Sequence, residues 1–285
     1  IIARENAFLE AGGQLIFPFP HFEIVGAKPK LLITGCDGMI AHNVKEQFND
    51  YNLYGISRSE QNNEKNITKS YLDMNNSIEL EHILSIIRPD VIVHLASISD
   101  SHYAFANPIE TLQCNGLLTV TLCDIIHRNK WNTILFNASS SEIYKGHVDY
   151  EVCENDTNMF HSHPYSIAKI MGHSMVEFYQ NTYGLPFSNG IIFTTESSLK
   201  KPIFLLNKVS AHIKDWISGN KTALNVGNLD SYRNMLHASD VASAINTIIS
   251  QKKGDTYLIC NTETHKIYDL VIKLYSMSGL ELELK

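Results

Sequence analysis

Along this chain, short unbroken apolar runs alternate with longer amphipathic stretches, and that rhythm predicts the fold before any chemistry is considered. Leu31-Leu32-Ile33-Thr34 reads as a buried strand leading into Gly35-Cys36-Asp37-Gly38-Met39-Ile40-Ala41 and then a helix through about residue 48. Residues 53–56 form a second predicted strand, 77–87 an amphipathic helix ended by Pro89, and 91–95 a continuous apolar strand. A helical pattern over 109–129, a buried strand at 133–137, a long helix over 162–182 closing at Gly184-Leu185-Pro186, and a strand at 189–194 follow. Strands that alternate with helices in this way call for a parallel sheet covered on both faces, a doubly wound α/β Rossmann fold. Beyond residue 195 the pattern is less regular, with a helix at about 203–218, a strand near 223–226 and a helix at 239–251. The organisation expected is therefore an N-terminal extension (1–27), a dinucleotide-binding Rossmann domain (28–193) and a region (194–285) that is mainly a small substrate lobe, with segments returning to the Rossmann core.

Composition narrows the function classes. The 285 residues suffice for a sizeable core, and 44% apolar with 19% charged residues, free of repeats and low-complexity runs, describes an ordinary globular chain. A formal charge of -7 leaves no basic stripe for phosphate backbones, so no nucleic-acid partner is expected. No apolar run approaches the roughly 20 residues of a membrane span. Arg4 and Glu5 stand where a signal peptide would be apolar, so a cytoplasmic protein with no membrane partner is expected. Cys36, Cys114, Cys123, Cys153 and Cys260 lack C-x-x-C spacing and read as reduced, mostly buried thiols. The histidines show no H-E-x-x-H pairing, so no metal site is expected either. Asn66-Ile67-Thr68 and Asn137-Ala138-Ser139 match the glycosylation sequon only by chance if the chain is cytoplasmic.

The chemistry gathers at three places. Gly35, Gly38 and Ala41, in a Gly-x-x-Gly-x-x-Ala turn between strand and helix, suit a pyrophosphate, because glycine permits close backbone approach and a helix N-terminus offers N–H groups and positive dipole. The second strand ends in Arg58 rather than the acidic residue that usually takes a ribose hydroxyl, which favours NADP over NAD; Asp73 is placed at the adenine edge, and Leu95 and Ala96 at the end of the next strand. Tyr165-Ser166-Ile167-Ala168-Lys169 puts a phenol and an ammonium on one helical face, where that cation and the cationic nicotinamide should favour the phenolate and lower a pKa near 10. Ser139-Ser140-Ser141-Glu142 leaves its strand at the C-terminal edge, where a hydroxyl can share the tyrosine's proton.

These motifs resemble the extended short-chain dehydrogenases/reductases, the NAD-dependent epimerase/dehydratase family, and among them the GDP-mannose 4,6-dehydratases, over about residues 30–275. The stretches that carry the likeness are Ala138-Ser139-Ser140-Ser141-Glu142-Ile143-Tyr144, Pro164-Tyr165-Ser166-Ile167-Ala168-Lys169, Asn189-Gly190-Ile191-Ile192-Phe193 with Glu196-Ser197, and Gly227-Asn228-Leu229-Asp230 with Arg233, His237 and Asp240. The resemblance implies Ser140 in the place of the family's catalytic threonine, Glu142 as the carboxylate base, and Tyr165 with Lys169 as the redox pair. It further implies Ser99, Ser141, Thr194, Glu196, Lys208 and Arg233 at the substrate, a nucleotide-diphosphate sugar, and a homodimer formed through 109–129 and 162–182. Thr194 replaces the family's usual asparagine and Lys145-Gly146 reverses its usual order, so the sugar implied is not fixed as mannose.

A 4-ketoreductase acting on a nucleotide 4-keto-6-deoxy sugar would use the same serine, tyrosine and lysine, and an inactive NADP-binding module is a further alternative. Residues 2–25, with Gly12-Gly13-Gln14-Leu15-Ile16-Phe17-Pro18, resemble the tail of a sugar C-methyltransferase, which together with the absent initial Met suggests a piece of a longer, fused protein.

Overall fold

The computed structural model describes residues 28–58, 66–145, 152–156 and 163–280. The N-terminal extension with its methyltransferase-like stretch, and Gly146, lie outside the described residues.

Seven parallel strands build the main sheet: β1 (Lys30–Thr34), β2 (Asn52–Ser57), β3 (Thr68–Tyr71), β4 (Val91–His94), β5 (Ile134–Ser140), β6 (Phe187–Ile192) and β9 (Thr256–Ile259). Their order is β3-β2-β1-β4-β5-β6-β9. The register of Leu31 with both Leu53 and Val91 puts β1 inside the sheet beside β4, where the winding direction reverses. Ligands of such sheets bind outside the carboxyl ends of the strands at that reversal.

Helices cover both faces, as continuous apolar strands require. On one side α2 (Ser77–Ile87), α5 (Leu118–Arg128) and α6 (Pro164–Tyr183) bury Leu80, Ile83, Leu122 and Val176 against Leu32, Ile92 and Leu135. On the other, α1 (Met39–Gln47) and α8 (Ala238–Ser250) bury Ala41, Val44, Val241 and Ile245 against Leu31, Val93 and Phe136. Long α6 ends where Gly184 turns left-handed at φ +66 and its N–H caps Gln180 O, a stop that glycine makes cheaply. The predicted helix over 109–129 is broken into α4 (Pro108–Leu112), a π turn (Gln113–Leu117) and α5, with α3 (Ser101–Ala106) before it.

The predicted strand near 223–226 is not formed. Those residues are irregular, and Leu224 packs on a separate apolar cluster with Val209, Ile213, Val271 and Tyr275. The strand lies instead at β8 (Tyr232–His237), between β7 (Thr194–Glu196) and β10 (Thr264–Lys266) in a second sheet of order β10-β8-β7. Polar Tyr-Arg-Asn-Met-Leu-His gives little strand signal; pairing with distant partners decides it. The predicted strand at 189–194 is likewise divided, since the chain passes from β6 into β7, and so from one sheet to the other, at Phe193. Helices α7 (Leu205–Ile217) and α9 (Ile267–Met277) cover the second sheet's end of the molecule, while α8 and β9 return to the main sheet.

Cys36, Cys114 and Cys123 are buried, and Cys153 and Cys260 are exposed. Among the described residues no helix is long and apolar enough to cross a membrane.

Candidate active site

The glycine turn closes over the end of β4. Gly35 has φ +67, and a Cβ there would stand 2.8 Å from Ala96 Cα and 2.9 Å from Ala96 N, so no other residue fits. The N–H of Gly35 donates to Ile56 O at 2.9 Å, that of Leu95 to Thr34 O at 3.2 Å, and that of Ala96 to Thr34 Oγ1 at 3.2 Å, which knits the ends of β1, β2 and β4. Gly38 is the N-cap of α1 and no side chain caps that helix; Ala41 is buried in its first turn. A bare helix N-terminus behind a turn whose residues Gly35 and Gly38 carry no side chain fits the pyrophosphate of a nicotinamide dinucleotide.

The same turn holds a pair that the sequence reading missed. Lys69 Nζ on β3 lies 2.7 Å from Asp37 Oδ1, with the lysine side chain only 4% exposed. Burial works to raise the Asp37 carboxyl, but hydrogen bonds from Lys69 and Ser57 outweigh it and hold it below its ordinary value. The charge of a carboxylate in the glycine turn is thereby neutralised; an aspartate inside that turn was the available signal. Arg58 is exposed and pairs at 3.3 Å with Glu110, which also accepts from Tyr103 Oη at 2.7 Å. Asp73, exposed after β3, spends Oδ1 on the N–H of Asn75 at 3.0 Å and so shapes the turn into α2.

Strand β5 runs on to Ser140, three residues past its predicted end, and this carries the serines to the edge. Ser140 Oγ accepts the N–H of Glu142 at 3.2 Å and opens a short 3-10 turn (Ser141–Tyr144), in which Ser141 is half-buried and Glu142 exposed. Tyr165 stands in the first turn of α6, its N–H donating to the ring of the N-cap His163 at 3.2 Å. Its ring packs on Ile98, Ala104 and Cys114. Lys169, one turn on, donates to Ala138 O at 2.8 Å and stands 5.9 Å from the Tyr165 ring centroid.

The ammonium by itself does not lower the phenol. Burial pushes the Tyr165 phenol above its ordinary value, hydrogen bonding to Ser140 pulls it down, Glu142 raises it further and the Ser97 hydroxyl lowers it; the net direction is up. Burial lowers Lys169 to about 8, and its ammonium is spent on a carbonyl rather than on the phenol. Without cofactor the phenol is therefore the resting form. Ser97 is a second residue the sequence reading passed over. A third is Asn115 in the π turn, whose Oδ1 accepts Ile98 N at 2.7 Å and whose Nδ2 donates to Ile98 O at 3.0 Å, fixing the loop under Tyr165. π turns often mark functional sites, but nothing in the sequence period announces one.

Gly35, Gly38, Leu95, Ala96, Ser140, Tyr165 and Lys169 thus share the carboxyl edge of β1, β4 and β5, and Arg58 and Asp73 follow the ends of β2 and β3. Ser99 is exposed between β4 and α3. The remaining positions belong to the second sheet's region: Thr194 faces Met235 and Glu196 faces His237 across β7 and β8, and Glu196 pairs with Lys200. Exposed Lys208 donates to Asn225 O at 2.6 Å and exposed Arg233 to Tyr232 O at 2.7 Å.

A family model described as GDP-mannose 4,6 dehydratase matches residues 29–285. A GDP-mannose 4,6-dehydratase of Sordaria araneosa is 26% identical over 261 residues, 88% of this chain and 48% of that protein. One of Sinorhizobium fredii is 26% identical over 257 residues, covering 87% and 72% of the two chains. The chain thus spans about half the length of the first relative and less than three quarters of the second. Among solved structures, dTDP-glucose 4,6-dehydratase from Bacillus anthracis in complex with NAD superposes with TM-score 0.75 at 20% identity, covering 88% of this chain and 81% of that one. RMD from Pseudomonas aeruginosa complexed with NADPH gives 0.76 at 21% identity, with 90% and 85% covered. At such identities the likeness is one of fold.

Proposed function

We propose, because the chain belongs to the GDP-mannose 4,6 dehydratase family, that it uses NADP to remove water from a GDP-mannose-like nucleotide-diphosphate hexose, giving the 4-keto-6-deoxy sugar. The observation that carries this reading is the assembly of Tyr165 and Lys169 on the end of β5, with Glu142 two residues past Ser140.

A nicotinamide cofactor held at the turn of Gly35 and Gly38 would supply the hydride chemistry needed at C4 and at C6. Tyr165, with Ser140 beside it, takes the C4 hydroxyl proton as the phenolate, a form the Lys169 ammonium stabilises, and becomes the phenol. The ketone acidifies C5; Glu142 removes that proton and delivers a proton to the departing C6 hydroxyl, which leaves as water. Tyr165 gives its proton back at C5, so the chain ends the cycle in its starting protonation state.

Arg58 supports NADP over NAD, since its exposed pair with Glu110 is of a kind worth at most about 1 kcal/mol and is readily exchanged for a 2'-phosphate. Arg58→Ala is expected to weaken NADP binding by on the order of tenfold and to leave NAD binding nearly unchanged, as read by titration calorimetry with each cofactor. The same reading includes a cytoplasmic homodimer joined through the 109–129 and 162–182 helices, where Ile109, Leu117, Ile167 and Phe178 are exposed at 73, 51, 44 and 44%. Leu117→Glu with Phe178→Glu is expected to give a folded monomer by light scattering; a wild-type monomer would remove the dimer from the proposal.

A 4-ketoreductase is the second reading, favoured by one contact: Lys145 Nζ lies 3.3 Å from Glu142 Oε2 and competes for the carboxylate that dehydration needs. NMR of the protein with nucleotide hexoses and catalytic NADP in deuterated water separates the two. A 4-keto-6-deoxy product carrying deuterium at C5 supports dehydration. No product from any hexose, with NADPH consumed on adding 4-keto-6-deoxy sugars, replaces it with the reductase.

A further inference from the structure

Under the Tyr165–Lys169 pair runs a buried polar chain that the proposed reaction does not use. Tyr165, Lys169, His173 and Glu177 recur every four residues on α6 and so form one stripe. His173 is 2% exposed; its Nδ1 lies 2.9 Å from Ser139 Oγ and its Nε2 3.2 Å from Glu177 Oε1. The same carboxylate oxygen accepts from Thr256 Oγ1 on β9 at 3.1 Å. The carbonyl of His173 accepts from Asn189 Nδ2 on β6 at 3.0 Å, and Asn189 Oδ1 accepts from Asn137 Nδ2 at 2.8 Å.

The carboxylate settles the tautomer. Hydrogen bonding to His173 holds Glu177 below its ordinary value, so it is ionised and accepts from Nε2–H; in the neutral ring Nδ1 is then the acceptor of the Ser139 hydroxyl proton. Two consecutive residues of β5 are thus gripped by one helical stripe, Ala138 O by Lys169 and Ser139 by His173, and the next residue, Ser140, is the one whose hydroxyl lowers the Tyr165 phenol. Adhesion alone would not call for this, because α5 seals the same face with Leu118, Leu122, Ile125 and Ile126 and leaves no buried charge to satisfy.

We propose that His173, held by Glu177, is a positioning residue that sets the depth and register of α6 so that Lys169 and Tyr165 stay on Ala138 and Ser140. The inference rests on the reading that Tyr165 and Lys169 carry out the hydride-transfer step. Without the ring, the Lys169 ammonium and the phenol drift together relative to the end of β5, and misplacements of this kind cost rate more than binding.

The test uses His173→Phe, which keeps an aromatic ring and removes both hydrogen bonds, and His173→Asn, which restores a polar group at the Nδ1 position. For folded His173→Phe the turnover number kcat is expected to fall ~10- to 100-fold with KM changed less than about threefold, and His173→Asn to recover most of the loss. A second readout needs no substrate: the Nζ resonance of Lys169 in lysine-labelled protein, assigned by its loss in Lys169→Met. It should titrate near 8 in the wild type and move toward the ordinary 10.5 in His173→Phe as water reaches the ammonium. Tyr165 on α6, His94 on β4 and Cys114 in the π turn, the other titratable groups around Lys169, are retained in both variants. A merely structural histidine would lower Tm and leave both the folded enzyme's kcat and the Lys169 titration unchanged, and that result overturns the proposal. If His173→Phe does not fold, Ser139→Ala removes the same contact from the strand side and is held to the same two readouts. A wild type that turns over no nucleotide hexose sinks the proposed reaction, and the Lys169 titration still decides the positioning role by itself.

Discussion

Tyr165→Phe is expected to lower hydride transfer by at least on the order of 10³-fold, because it removes the group proposed to take the C4 hydroxyl proton. The benzene ring keeps its packing on Ile98, Ala104 and Cys114, and the hydroxyl contributes a hydrogen bond worth only about 1 kcal/mol, so the variant should fold and bind cofactor as before. Single-turnover absorbance of the reduced nicotinamide, followed beside cofactor titration, separates the two properties. The pH dependence has a definite sign. Burial and Glu142 hold the phenol above its ordinary value, so it is protonated near neutrality, and C4 oxidation by the wild type should speed up as pH rises and the proton is given up. That rise should be missing from the residual rate of the phenylalanine variant. A variant that retains full rate would show that another group takes the proton.

Glu142→Gln is expected to divide the reaction in two. The amide keeps the size and hydrogen-bonding reach of the carboxylate but accepts no proton, so C4 oxidation should proceed while loss of water falls on the order of 10²- to 10³-fold. Oxidation should even be slightly favoured, since the charge that raises Tyr165 is gone. The side chain is exposed, and its pair with Lys145 at 3.3 Å is of a kind that contributes little to stability. In deuterated water the variant should accumulate reduced cofactor and oxidised sugar with no deuterium at C5. Unchanged dehydration would eliminate Glu142 as the base; reduction of 4-keto-6-deoxy sugars by wild type and variant alike, with no dehydration in either, would shift the assignment to the ketoreductase.

What the sequence by itself determined are the features with a local signal. Parallel strands buried on both faces appear as unbroken runs such as Val91-Ile92-Val93, helices as amphipathic periods bounded by caps, and the glycine turn and the Tyr165–Lys169 spacing as short motifs. Each is written within a few residues, so it can be read without knowing what lies across the fold. The second sheet could not be read this way: β8 is half polar and becomes a strand only because residues 194–196 and 264–266 flank it, whereas the apolar run at 223–226 finds no edge to join. Nor could the state of Tyr165 and Lys169. Spacing alone aims the ammonium at the phenol, but Lys169 reaches a carbonyl thirty-one residues away on β5, and burial then moves the phenol upward instead of downward. The Asp37–Lys69 neutralisation, the clamp of Asn115 on Ile98 and the grip of His173 on Ser139 are of the same kind. Tertiary structure decided all of these, because a hydrogen bond or a desolvation cost depends on which distant groups share a dry interior, and no local period encodes that.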